Sequence, residues 1–258
     1  VEVARRVNEQ HPAEVAFGMA TRANIQSAVD KLTARGVTEI VAVPLFVSSH
    51  SSVITSTEYL LGLRKEAPKD LAIFAKMNHA PHGAPADEHA PHVTADPASP
   101  ITTSAPVRIT PAFNRHAIIG AIAADRALSI STSPPSESVI LVAHGPVPDE
   151  DNRRWLEDMT VLAAHIARAA PFASVEYMTV RDDAGPAIRE AATNELREKV
   201  QAQRSAGRRV LIVPHLMSFG GIEKGLLKRL EGLDYTMTAQ ALMPDDRVVE
   251  WVLASIRP

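Results

Sequence analysis

One arrangement of residues recurs in this chain and limits its fold more than any other: a helix-patterned segment, a glycine, then a β-branched apolar run broken by Val-Pro. It occurs first as Ile25 to Arg35, Gly36 and Glu39-Ile40-Val41-Ala42-Val43-Pro44-Leu45-Phe46. It returns as Pro186 to Ser205, Gly207 and Arg209-Val210-Leu211-Ile212-Val213-Pro214-His215-Leu216. A second match follows in the same order, Ala112-Phe113-Asn114-Arg115-His116-Ala117-Ile118-Ile119 against Leu242-Met243-Pro244-Asp245-Asp246-Arg247-Val248-Val249, and each continues as a helix. Two matches in one order indicate a duplication. Helices alternating with short β-branched runs are βαβ units, which build parallel sheets covered by helices on both faces. The expected fold is α/β, two tandem flavodoxin-like domains with parallel sheets.

The second half reads as strand Val139 to Ala143, helix Glu150 to Ala169, strand Ser174 to Thr179, helix Pro186 to Ser205, strand Val210 to Leu216, helix Lys224 to Leu230, strand Tyr235 to Leu242 and a last helix. The first half has the same parts except the opening strand, which by the repeat should precede Val1; its sheet is expected to lack that strand. The chain opens on an amphipathic helical pattern, as a chain does that begins mid-domain. The predicted domains are residues 1–128 and 139–258, joined by a Ser/Pro linker over 129–138. An insert at about residues 78–106 breaks the first domain's last strand and carries His-Ala-Pro-His twice, with His79, His82, His89 and His92. In polyproline II, residues three apart share a face but stand about 9 Å from each other. A solvated linker is therefore the stronger expectation for the insert, and weak metal binding the lesser one.

Composition removes several function classes. With no cysteine there is neither a disulfide nor a thiolate metal site, so any metal would be held by His, Asp or Glu. A net charge of -3, with basic residues scattered among acidic ones, offers nothing to nucleic acid. No apolar run approaches the ~20 residues of a membrane span. No Gly-rich phosphate loop is present, so no nucleotide is expected.

In an open parallel sheet, ligands gather beyond the carboxyl ends of the strands. His144 directly follows Ile140-Leu141-Val142-Ala143, and Gly145 lets the backbone turn there and a flat ligand come close. His50 lies six residues past Pro44 in Ser48-Ser49-His50-Ser51-Ser52. A lone histidine at a strand end is more often a hydrogen-bonded structural residue; the repeat shifts that balance toward chemistry. His215, still inside its strand, is expected in the core or lining a cleft. Glu223 is either a carboxylate ligand or a helix N-terminal charge favoured by the dipole. Arg181-Asp182-Asp183 is either a ligand-positioning group or a helix cap. His11, His116 and His165 lie in or beside helices and are expected to be structural.

With these residues assembled, the chain resembles the sirohydrochlorin chelatase family, the class II tetrapyrrole metal chelatases that insert cobalt or iron into the precursor of cobalamin and sirohaem. The resemblance rests on Leu141-Val142-Ala143-His144-Gly145 and on Val41-Ala42-Val43-Pro44-Leu45-Phe46 with His50. In the family the second histidine lies a little further past the proline, after a Gly, where the first half has Ser52 and the second Ile222. Neither half therefore retains a full pair. The resemblance implies His144 and His50 as the catalytic pair, each a metal ligand or proton acceptor and brought together if the halves face one cleft. Glu223, in the second-half counterpart of the His50 loop, is the further candidate metal ligand; the resemblance implies Arg22 and Arg181 as partners of substrate carboxylates, and a divalent metal, cobalt or iron, as substrate. The expected partner is a tetrapyrrole, the expected location cytoplasmic, and the expected state a monomer with an internal pseudo-dimer. The alternative is a non-catalytic metal- or tetrapyrrole-binding protein derived from a chelatase; a third is a flavodoxin-like domain with no metal role.

Overall fold

The computed structural model describes residues 1–76 and 96–257, so the four insert histidines and the expectation of metal binding there lie outside the described residues. The chain forms two compact units, and they cut it differently from the expected 1–128 and 139–258. The first comprises Val1–Pro44, Ser51–Pro111 and the residues from Val249; the second comprises Leu45–His50 and Ala112–Val248. The His50 loop thus belongs to the same unit as His144.

In the first unit, α1 (Glu2–Val7), α2 (Arg22–Ala34), β1 (Ile40–Ala42), α3 (Ser52–Leu60), α4 (Leu71–Lys76) and β2 (Val107–Ile109) surround a core of Ile25, Val29, Ile40, Leu60, Leu71 and Phe74. β1 pairs with β2 in parallel, Ile40 opposite Val107. Among the described residues its sheet has these two strands. β1 is three residues long, of the eight that read as strand.

The second unit begins with α5 (Ala117–Leu128), which carries the boundary difference. It packs on α6 (Asp149–Ala169) so closely that a Cβ on Gly120 would come within 2.5 Å of the His165 ring. Ile119, Ile122, Ala123 and Ala127 are 1% exposed or less, so this helix buries its apolar face in the second unit although it follows the first half in sequence. The expected linker is ordered: a 3-10 turn at Pro134–Ser136 leads into β3 (Glu137–Ala143). The sheet continues with β4 (Ser174–Thr179), β5 (Arg209–His215) and β6 (Thr236–Met237), in the order β4-β3-β5-β6, all parallel. All seven residues of β3 are buried, as an apolar strand flanked on both sides and both faces must be. Ile140 and Val142 meet Met178, Leu196, Val200 and Ile212 on one face; each such side chain contributes roughly 1.5–3 kcal/mol by leaving water.

α7 (Pro186–Ser205) and β4 have the predicted bounds, whereas β6 is two residues long where eight were expected. Past Met237 the chain turns: Gln240 N donates to Thr238 Oγ1 at 3.2 Å, and Leu242 N to Leu216 O at 2.9 Å. The duplication is visible in the backbone, with a one-residue correction. Phe113 N and Asn114 N donate to Phe46 O and Val47 O (3.1 and 3.0 Å), and Leu242 N and Met243 N donate to Leu216 O and Met217 O (2.9 and 3.0 Å). Phe113, not Ala112, is therefore the counterpart of Leu242.

Candidate functional site

The strand order of the second unit reverses between β3 and β5, and open α/β sheets bind ligands in the crevice past the carboxyl ends at such a point. His144 stands there. Ala143 is in register with His215, so β3 delivers His144 one residue past the end of β5. Gly145 sets the direction of exit: its φ is +77°, and a Cβ would lie 2.5 Å from Cβ of Thr179, whose hydroxyl donates to Asn152 Oδ1 at 2.6 Å. No other residue type meets both conditions without moving β4.

The His144 side chain is 23% exposed, and its Nε2 lies 3.3 Å from Oδ2 of Asp183, itself 75% exposed. Asp183 is held by the turn after β4, in which Arg181 takes a left-handed φ of 50°. The Arg181 guanidinium donates to Pro146 O (2.7 Å), to Val147 O and to Asp149 Oδ1 (2.9 Å), fastening the loop after β3 to the loop after β4. Arg181 is 8% exposed, and its Nε and Nη2 donate within this staple. The expectation that it binds substrate carboxylates is corrected accordingly: its charge is turned inward, onto the loops that carry His144 and Asp183. The alternative of a cap is corrected too, because the N-cap of α7 is Gly185. Arg22 fails in the same way, since it is 7% exposed and donates to Ser99 O at 2.9 Å and to Pro100 O at 3.2 and 3.3 Å.

His50 is half-buried in a loop fixed by four hydrogen bonds that involve side chains. Trp155 Nε1 donates to His50 O (2.7 Å), His50 N to Ser48 Oγ (3.1 Å), Ser49 N to Asn114 Oδ1 (2.7 Å) and Ala112 N to Ser49 Oγ (2.9 Å). Asn114 has a left-handed φ of 45°, a conformation asparagine tolerates better than most residues. Near His50, Asp158 forms an ion pair through Oδ1 with Arg115 Nε at 3.1 Å and is 5% exposed. Burial raises its pKa, against the opposing pull of the Arg115 and His50 charges. His215 is 1% exposed, and burial lowers its pKa to about 4.

Glu223 occupies the first turn of α8 (Gly221–Arg229), where the helix dipole favours a carboxylate. Among the described residues no three His, Asp or Glu side chains converge on a point that could hold an ion. The expected ligand set His144, His50 and Glu223 is therefore not assembled, and the pair that is close, His144 with Asp183, joins one expected residue to one read as half of a turn. His116 caps α5 by accepting from Ile118 N at 3.2 Å, as a structural histidine.

Trp155 and Asp158 escaped the reading of the sequence, although a signal was there. α6 buries Trp155, Asp158, Met159, Leu162 and Ile166 at helical spacing, and an aspartate inside an apolar stripe is out of place unless it has a partner. A cavity of about 570 Å³ runs along β4 between Asn152, Tyr177, Arg181, Glu195 and Lys199; neither His144 nor His50 lines it. No described helix is long and apolar enough to cross a membrane.

Residues 1–77 match the CbiX family model, a span that includes His50 and stops short of His144. No curated protein matches the chain. Among solved structures, SirB from Bacillus subtilis with Fe3+ is 14% identical, has a TM-score of 0.65, and shares 99% of this chain and 86% of its own. DR2241 from Deinococcus radiodurans, described as a multi-domain protein with structural similarity to chelatases and two additional novel domains, is 16% identical with a TM-score of 0.46, over 93% of this chain and 52% of its own. The first 77 residues are thus similar to the CbiX family, the chain shares the fold of SirB along nearly its whole length, and both likenesses agree with the Ala-His-Gly and Val-Pro motifs.

Proposed function

We propose that this chain inserts a divalent metal, cobalt or iron, into sirohydrochlorin or a related tetrapyrrole. The observation that carries this is the half-open His144–Asp183 pair at the end of the central strand. Two metal–ligand bonds of about 2.1 Å at a near-tetrahedral angle put their donor atoms about 3.2–3.4 Å apart, and Nε2 and Oδ2 stand at 3.3 Å. An imidazole and a carboxylate suit cobalt and iron alike, so the pair does not choose between them. Two protein donors with solvent on the open side hold an ion loosely, as a metal to be handed on must be held. A protein that only stores its cargo calls for a closed ligand set.

Insertion exchanges two pyrrole protons for the metal. Asp183, freed as the metal leaves, and His50 are the acceptors assigned here, each acting as a base within reach of water. Arg181 and Gly145 aim the pair, and neither touches the substrate.

The test is to mix protein, Co²⁺ and sirohydrochlorin and to follow the visible spectrum beside His144→Ala, His50→Ala and Asp183→Asn. His144→Ala should fall to the protein-free rate and Asp183→Asn should lose at least about 10- to 100-fold, since removing a ligand costs no less than removing a group that supports one. A wild-type rate no faster than the blank removes the enzymatic proposal, and undiminished rates in both histidine variants remove the site.

A further inference from the structure

His215 and Asp158 take no part in that chemistry, yet each leaves a buried polar atom without a protein partner: Nδ1 of His215 and Oδ2 of Asp158. Such an atom costs about 1–3 kcal/mol when nothing satisfies it. Both residues line one small cavity of about 10 Å³, together with Ser48, Asn114, Trp155 and Met159. About 10–15 Å³ is the space one water molecule requires, provided it finds two to four polar partners. An ion fits the cavity less well, since no third His, Asp or Glu joins these two among the described residues.

The donor and acceptor inventory matches a water. Asp158 Oδ2 accepts, and Nδ1 of a neutral imidazole protonated on Nε2 accepts as well. Ser48 Oγ already accepts from His50 N at 3.1 Å, which leaves its own proton to donate. We propose that one water molecule sits in this cavity, donates to Asp158 Oδ2 and His215 Nδ1, accepts from the Ser48 hydroxyl, and so ties the His50 loop to β5 and α6. Asp158 and His215 are then positioning residues for His50. The water stands on the cavity and the orphaned atoms alone; the positioning role rests on the proposed function of His50. Burial supports the neutral imidazole that the arrangement needs, because it holds the His215 pKa at about 4.

Two measurements test the two parts. Nitrogen-15 NMR of the whole chain should show His215 protonated on Nε2, with a cross-peak from its ring to a long-lived water that disappears in Asp158→Leu. A proton on Nδ1, or no water cross-peak in the wild type, overturns the buried water. The rate of Co²⁺ insertion into sirohydrochlorin, followed by the visible spectrum, should then fall about 10-fold for His215→Leu and stay near wild type for His215→Asn, whose amide oxygen can stand where Nδ1 stood. Equal loss in both variants, or no loss in the leucine variant, overturns the positioning role. If the wild type inserts no Co²⁺, the proposed function fails and the positioning role with it, while the NMR result still decides the water.

Discussion

The two edges of the second sheet are built from the same kinds of residue and treat them in opposite ways. At the amino edge Glu137, 1% exposed, accepts from Ser131 Oγ, Thr132 N (2.9 Å), Thr132 Oγ1 (3.1 Å) and Arg209 (2.7 Å). Burial pushes its carboxyl up, but these donors outweigh it and hold the pKa at about 2. Beside it Ser174 donates to Ser138, and Ser138 to Gln203, both at 2.9 Å. At the carboxyl edge Asp158 has one ion pair and one orphaned oxygen, His215 has an orphaned nitrogen, and Asn114 and Arg181 hold left-handed backbones. Buried polar groups are normally satisfied, so the amino edge is built for stability, while the exceptions and left-handed residues of this sheet gather at the edge where the proposed chemistry lies.

That contrast can be broken by experiment. The largest effect should come from Glu137→Ala, which strands several buried donors and should cost about 3–5 kcal/mol in urea denaturation; a cost under about 1 kcal/mol would mean the amino edge is not the anchor. In the wild type, the folded pKa of Glu137 is below its ordinary 4.5, so its contribution is full above that value and lost as pH falls toward 2.

His215 should open a separate acid window. Its folded pKa of about 4 lies below the ordinary 6.5, so the unfolded chain binds the proton first and stability drops as pH falls from 6.5 to 4. The loss is at most about 3 kcal/mol, with Asp158, whose pKa is raised, opposing it at the acid end. His215→Leu should erase this window and keep that of Glu137, as urea titrations at several pH values would show.

Gly145→Ala should cost about 2 kcal/mol, from the positive φ and the collision with Thr179 together. Melting of the variant alongside Thr179→Ser, and of the two combined, should recover part of the loss in the double variant. Smallest, Trp155→Phe keeps the ring but removes the hydrogen bond to His50 O, for about 1 kcal/mol. A loss of insertion rate larger than the loss of stability would show that the loop's placement, more than its anchoring, is what Trp155 secures.

The sequence carried the elements well where local signals agreed. β4 and α7 have their predicted bounds because turn residues and a Pro at the first helical position mark their ends. It carried the location of His144 as well, since an apolar run followed by His-Gly can only be a strand end opening on a crevice. It misjudged Arg22 and Arg181, whose charge is visible in a sequence while the carbonyls that absorb it, Pro100 O and Pro146 O, are not. Asp183 was legible as part of a turn but not as a neighbour of His144, 39 positions away by subtraction of their numbers.

By itself, then, the sequence determined a duplicated α/β chain with parallel sheets and a histidine at the end of its central strand, because hydrophobic period and turn chemistry are local properties. Only the tertiary structure decided that the His50 loop belongs to the second unit, that α5 buries its face there, and that Asp183, Asp158 and His215 stand where they do. Those are contacts between residues far apart in the chain, set by which apolar faces find each other. A side chain's solvation, and with it the difference between the open His144 and the sealed His215, exists only once those faces have met.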